Sequence, residues 1–189
     1  MKGVYIFMAD GFEDVEALAT RDVLLRGGVD VRLVSISDDP IVNSAHGLMV
    51  GTDGLIEYLD WDHEDTTAQD FMIFPGGLPG SSNLAGCKPL ILEMNAHYAH
   101  GGSVAAICAA PGLVLSQLEE TEGLEFTCYD SFEDMLIQRG AKFNPQPAVK
   151  SGRVITGRSA GHAISFALEI LKAIKGEETA EKVKKSMYL

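Results

Sequence analysis

Residues 3–37 read GVYIFMADGFEDVEALATRDVLLRGGVDVRLVSIS. The run VYIFM (4–8) is continuously apolar, the mark of a strand covered on both faces. A polar turn, ADGFED, follows, with acidic residues where the positive end of a helix dipole would favour them. A helix-like stretch then runs to Arg26 and stops at Gly27-Gly28, and VRLVS returns to strand character. Strand, helix and strand in immediate succession make a βαβ unit, which commits the chain to an α/β architecture.

The same alternation recurs downstream. DFMIFP (70–75) reads as a buried strand, followed by a Gly/Pro/Ser loop and a helix through LILEMNAHYAHGG. SVAAI (103–107) is a further strand, with a helix from about Pro111. AVKSGRVITG reads as a hairpin turning at Ser151-Gly152, and HAISFALEILKAIKG as a long helix before a short polar one. Repeated alternation with apolar strands predicts a mostly parallel sheet with helices on both faces. No linker, repeat or low-complexity tract interrupts it, so one domain is expected over 1–189.

Composition narrows the function classes. An apolar fraction of 46% with 22% charged residues suits a globular chain, and a net charge of −12 argues against nucleic acid as main partner. No apolar run reaches membrane-spanning length, and VYIFM after Met1-Lys2-Gly3 is too short for a signal segment. Three cysteines without paired spacing speak against a disulfide framework, so a reducing cytoplasm is the expected compartment.

In a parallel α/β sheet, ligands collect at the carboxyl ends of the strands, so functional residues are sought just after them. After the first strand, Glu13 and Asp14 are explained by the helix start, whereas Glu16 sits among Phe12, Val15, Leu18 and Ala19 near the buried edge. A carboxylate there needs a partner, and a cysteine is one candidate. After the central strand, Gly76 and Gly77 in FPGGLPGSSNLAG could present consecutive N–H groups to an anion, although an ordinary turn explains them equally well. The loop matches neither the Walker A nor the dinucleotide pattern.

After the next strand comes Ala106-Ile107-Cys108-Ala109-Ala110. A nucleophile elbow needs small residues two before and two after the nucleophile, on a sharp strand-to-helix turn. This window satisfies that spacing with cysteine in place of serine. A thiol at a helix start has its anion favoured by free N–H groups, so Cys108 reads as reactive rather than merely packed. Cys87 looks incidental, and Cys128 fits a packing role as well as a place near the site. Among the histidines, His97 and His100 read as a solvated helix face, His63 lies in an acidic loop and His162 near a cap. His46, in a loop, is the one expected to approach a site, and no metal cluster is expected.

ADGFEDVEA, IFPGGLPGSSNL, AAICAAPGLVL and TGRSAGHAISFALEIL, in that order, resemble the ThiJ/PfpI superfamily over essentially the whole chain, most closely the branch of the parkinsonism-associated protein deglycase and its bacterial relatives. The resemblance implies a flavodoxin-like three-layer sandwich (glutamine-amidotransferase-like), a homodimer and no cofactor or metal. It puts the reactive thiol on Cys108 and a protonated carboxyl on Glu16. Oxyanion-type N–H donors fall on Gly77 and the Cys108–Ala109 backbone, with Gly76 shaping the turn. Some members use an arginine where Ser44-Ala45-His46-Gly47 stands here; Arg26 matches another arginine, and Cys128 replaces a histidine. Ala109 stands where the protease branch has a histidine, which removes a local peptidase triad. The implied activity is cofactor-free glyoxalase or deglycase chemistry on a small 2-oxoaldehyde or glycated substrate. The alternatives are a redox sensor or chaperone in which Cys108 becomes a sulfinate, then thiazole monophosphate biosynthesis or peptidase activity.

Overall fold

The computed structural model describes residues 1–189. In chain order the first half forms β1 (Val4–Met8), α1 (Asp14–Arg26), β2 (Val31–Ser35), β3 (Ile41–Asn43), β4 (Met49–Gly51), β5 (Gly54–Leu55), β6 (Phe71–Phe74), α2 (Gly80–Gly86) and α3 (Lys88–Ala99). The second half forms β7 (Ser103–Ile107), α4 (Ala110–Leu113), β8 (Glu125–Phe126), α5 (Asp134–Ile137), β9 (Lys142–Phe143), β10 (Ala148–Ser151), β11 (Val154–Gly157), α6 (Ala163–Lys175) and α7 (Glu177–Ser186).

Seven strands make the main sheet in the order β10-β11-β7-β6-β1-β2-β5. All neighbours run parallel except β10, which returns antiparallel on β11. Because side chains alternate along a strand, each central strand feeds two cores. Ile6, Ile73, Ala105 and Ile155 pack under α1 and α6 with Val23, Leu24, Phe166 and Ile170. Phe7, Met72, Phe74, Val104 and Ala106 pack on the other face with Leu84, Leu90, Met94 and Leu115. Helices therefore cover both faces of a mostly parallel sheet, as the apolar strand runs predict.

Local details differ from the sequence expectation. The stretch 80–86, read as loop, is the helix α2, since packing of Leu84 into the second core outweighs its Gly and Ser content. The hairpin turns on Gly152-Arg153, because Ser151 still pairs with Val154 and Gly152 supplies the positive φ of +59°. The buried face of α1 is Glu16, Ala17, Thr20, Val23 and Leu24, with Val15 turned outward. That face follows helical spacing, but its centre is rotated away from Val15 and Ala19.

Position of the site follows from the strand order. The chain leaves β1 for β2 on one side and reaches β6 and β7 on the other, so the crossovers part between β1 and β6. The loops after those two strands lock together: Glu13 N–H donates to Gly76 C=O at 3.0 Å, and Gly80 N–H to Gly11 C=O at 3.1 Å. Gly77, at φ +89°, permits the approach, since a Cβ there would overlap the Glu13 amide and Gly11 carbonyl.

Candidate active site

Cys108 is the first residue beyond β7 and holds a φ of +65°, a conformation rare for a residue with a side chain. Two hydrogen bonds hold its backbone there. Its N–H donates to Gly157 C=O at 3.0 Å, and its own C=O accepts from Tyr129 N–H at 2.8 Å. An adjacent strand and a separate loop thus over-determine the strained conformation, the condition under which such strain persists. The thiol is left half-buried at the carboxyl edge of the sheet.

Glu16 comes from the first turns of α1 and is 1% exposed. Its Oε2 accepts from Gly76 N–H at 2.8 Å, and its Oε1 is buried without a hydrogen-bond partner. The carboxyl lies against Cys108, and Gly76 passes between them; a Cβ on Gly76 would overlap both. Burial raises the Glu16 carboxyl to about 7, against smaller downward pulls from the Cys108 thiol and the Gly76 N–H. Burial likewise pushes the Cys108 thiol up to about 12, the negative charge of Glu16 adding to it, while the N–H groups of Ala109 and Gly77 pull the other way. While Glu16 is protonated, its repulsion of a sulfur anion is gone and the two N–H groups remain aimed at sulfur.

Glu16, Gly76, Gly77, Cys108 and Ala109 are thus brought into one place by three elements, with two amendments. The N–H of Gly76 is committed to Glu16, and that of Cys108 to Gly157, so neither serves as an oxyanion donor. Gly77 and Ala109 supply the donors that face sulfur.

Arg26 does not line the site. It lies at the far end of α1, where a ten-residue separation from Glu16 is about 15 Å of helix, and its Nε pairs with Asp22 at 2.7 Å. The Cys128 side chain is fully buried in a small core with Phe126, Leu136 and Ala141, and burial pushes its thiol up to about 12. Its neighbour Tyr129 donates its N–H to the Cys108 carbonyl. His46 is exposed, its Nδ1 2.7 Å from Asp14 Oδ2 and 3.7 Å from Glu13 Oε2, and that hydrogen bond and the two negative charges raise it. These three side chains are the one set whose ligand atoms gather closely enough for a cation, within 4.8 Å. The 2.7 Å contact is itself a hydrogen bond that satisfies the imidazole.

Of the two helical histidines only His100 is exposed. His97 is fully buried, its Nε2 hydrogen-bonded to Asp70 C=O at 3.0 Å, and burial holds it down at about 4. His63 bonds Glu93 at 3.0 Å and stacks on His100. The sequence reading also passed over Arg158 and its partner Asp130, 2.7 Å apart. The signal was present, since Arg158 directly follows the strand VITG and meets the same positional test as Cys108.

Comparison with known proteins agrees with this geometry. The DJ-1/PfpI family model matches residues 2–173, and the chain belongs to that family. The glutathione-independent glyoxalase DJR-1.2 of Caenorhabditis elegans is 35% identical over 94% of this chain and 90% of its own length. Protein DJ-1 homolog B of Arabidopsis thaliana is 33% identical over 96% of this chain, which spans only 40% of that longer protein. Among solved structures, Drosophila melanogaster DJ-1beta superposes with a TM-score of 0.89 at 28% identity, covering 100% of this chain and 98% of that one. Toxoplasma gondii DJ-1 in an oxidized form gives 0.88 at 27% identity, with the same coverage of each chain.

Proposed function

We propose that this member of the DJ-1/PfpI family is a cofactor-free, glyoxalase-type enzyme acting on 2-oxoaldehydes or the adducts they form on proteins. The observation that carries the reading is the strained Cys108, held at φ +65° against a buried carboxyl and two unspent N–H groups. A relative of nearly the same length bears the name of such an enzyme.

The chemistry follows from the positions. Cys108 passes its proton to Glu16, and Sγ adds to the aldehyde carbon. The oxygen that becomes negative is held by Gly77 and Ala109 N–H, then takes the proton from Glu16, giving a thiohemiacetal. Glu16, ionised again, removes the hydrogen from that carbon and returns a proton to the neighbouring one, while the hydroxyl proton passes from the first oxygen to the second, leaving a 2-hydroxyacyl thioester. Water releases the 2-hydroxy acid and restores the thiol. A carboxyl near 7 is suited to both giving and taking protons at neutral pH.

The test is D-lactate formation from methylglyoxal by wild type, Cys108→Ser and Glu16→Gln. Turnover is expected to fall to background in the serine variant and by roughly 10²–10⁴ in the glutamine variant. Wild-type turnover no greater than that of Cys108→Ser would overturn the reading.

A second reading rests on the same donors. Gly77 and Ala109 N–H, aimed at sulfur, would equally hold an oxygen placed on it, as in a sulfinate that reports oxidant stress. Intact mass after mild peroxide separates the two, because a sensor gains two oxygens at Cys108 before Cys87 or Cys128 gains any.

A further inference from the structure

We propose that the cleft between the carboxyl ends of β1 and β2 is a binding site for an organic cation of the guanidinium type. It shares no residue with the Cys108 site, and its occupancy is independent of that thiol's chemistry.

Register creates the cleft. Met8 and Ser35 are partners at the ends of β1 and β2, and Ile36 N–H, donating to Met8 C=O at 3.0 Å, extends the pairing by one rung. Beyond it the chains part, one leading to α1 and the other to β3. An opening of about 220 Å³ remains between them. Ala9, Ile36 and Val42 give it an apolar lining, and Asp10, Ser35, Ser37 and, from α2, Asn83 a polar one.

What each polar group has left over selects the ligand. Asp10 Oδ1 accepts from Asn43 N–H at 2.8 Å, while its Oδ2 has no partner within the chain. Asn83 Nδ2 donates to Asp10 C=O at 2.9 Å, which leaves Asn83 Oδ1 free. The Ser37 hydroxyl donates to Asp39 C=O at 3.3 Å, so the 3.0 Å bond between Ser35 and Ser37 is donated by Ser35. Both hydroxyl protons are therefore committed. The free side-chain oxygens are those of Asp10 and Asn83, and one of them is charged. The lining comes wholly from residues 3–20 and 33–87, two stretches without a single Lys or Arg, so the cleft holds no cation of its own. A positively charged donor is the group that answers it.

Size and apolar lining choose among cations. The opening is several times the roughly 30 Å³ that one water takes up in the liquid. A magnesium or calcium ion would leave most of it empty, and such ions seek about six or more oxygens, not two. An ammonium group is compact and strongly hydrated. A guanidinium is planar and weakly hydrated, so it can lie against Ala9 and Val42 while donating to both oxygens.

The experiment titrates propylguanidinium into the 15N-labelled protein by NMR. Ionic strength is held constant, because a chain of net charge −12 attracts any cation weakly. Saturable shifts are expected at the amides of residues 9–10, 35–37, 42–43 and 83. Propylurea, which has the same shape and no charge, is expected to bind about tenfold more weakly or worse. Asp10→Asn, which keeps an oxygen for Asn43 N–H, should weaken propylguanidinium by a similar factor. Shifts that fail to saturate by about 10 mM, tenfold above a millimolar constant, overturn the proposal. Equal affinity for propylurea, or an unchanged affinity in Asp10→Asn, overturns it as well. So does calcium chloride that shifts the same amides at lower concentration, since the cleft would then belong to a metal. Should Asp10→Asn unfold, Asn83→Ala removes the other free oxygen and decides by the same affinity. Acetyl-Gly-Arg-Gly-amide then tells a free cation from a side chain. Binding as tight as that of propylguanidinium means that the cleft admits an arginine of a peptide, and no binding means that it admits only small free cations; both results uphold the guanidinium site.

Discussion

Cys108 keeps a φ of +65° only because Gly157 and Tyr129 hold its backbone from opposite sides. Such a conformation costs a side-chain-bearing residue about 1–3 kcal/mol, and glycine almost nothing. Cys108→Gly is therefore expected to be at least as stable as Cys108→Ser in urea denaturation, and a clearly less stable glycine variant would contradict the strain. Glu16 carries a second residue-scale prediction. Its folded value of about 7 stands above the ordinary 4.5, so the folded chain binds the proton more tightly than the unfolded one. Stability from this group is complete below about pH 4.5 and is lost as pH rises through about 7, worth on the order of 3 kcal/mol. Melting temperatures followed from pH 5 to pH 9 should fall through neutrality in wild type and less steeply in Glu16→Gln, whose amide does not ionise. Parallel curves would show that the carboxyl is not the group responsible.

At the scale of elements, the site depends on how closely the loops after β1 and β6 approach α1 and β7. Gly76 is the point of least space, with the Glu16 carboxyl on one side and the Cys108 Cβ on the other. Gly76→Ala must push them apart, losing the 2.8 Å bond to Glu16 and the alignment of the Gly77 N–H. A loss of about 1–3 kcal/mol in stability is expected, as for overpacking elsewhere, together with a changed rate of Cys108 alkylation. An alanine variant with wild-type melting and alkylation would show that the crowding is relieved at no cost. Much of this was legible in the chain. Small residues around Cys108 and paired glycines after a strand announce a tight turn at a sheet edge. The rotation of α1 was not legible, because Val15 and Ala19 suit a buried face as well as Thr20 does. Only the packing of α6 against Val23 and Leu24 selects between them.

For the whole molecule, the two cores are unequal partners in function. The core under α1 and α6 fixes the helix that carries Glu16, and Phe166 lies fully buried within it. Phe166→Ala should cost about 3–5 kcal/mol, measured by urea denaturation, and a cost below 1 kcal/mol would mean the core closes over the gap. We also propose self-association, on two supports: the family resemblance, and apolar side chains turned outward near the site. Val15 is 49% exposed and Met49 67%. Sedimentation equilibrium should return twice the chain mass, and a monomer at micromolar concentration would exclude it. No helix is long and apolar enough to cross a membrane.

The chain by itself determined the alternation of strand and helix, the parallel sheet and the place where Cys108 would stand. These follow from periodicity and from small residues, which act locally. It also singled out Glu16, since a carboxylate near a helix's buried edge needs an explanation wherever the helix lies. Tertiary structure decided what no local pattern encodes. It spent the Gly76 and Cys108 N–H groups on other partners and buried His97. It also set the turns after β7 and β11 side by side, joined by the Cys108 N–H to Gly157 C=O bond. Each depends on which strands become neighbours, and that is settled by burying two faces of one sheet at once, so it is written across the whole chain rather than in any stretch of it.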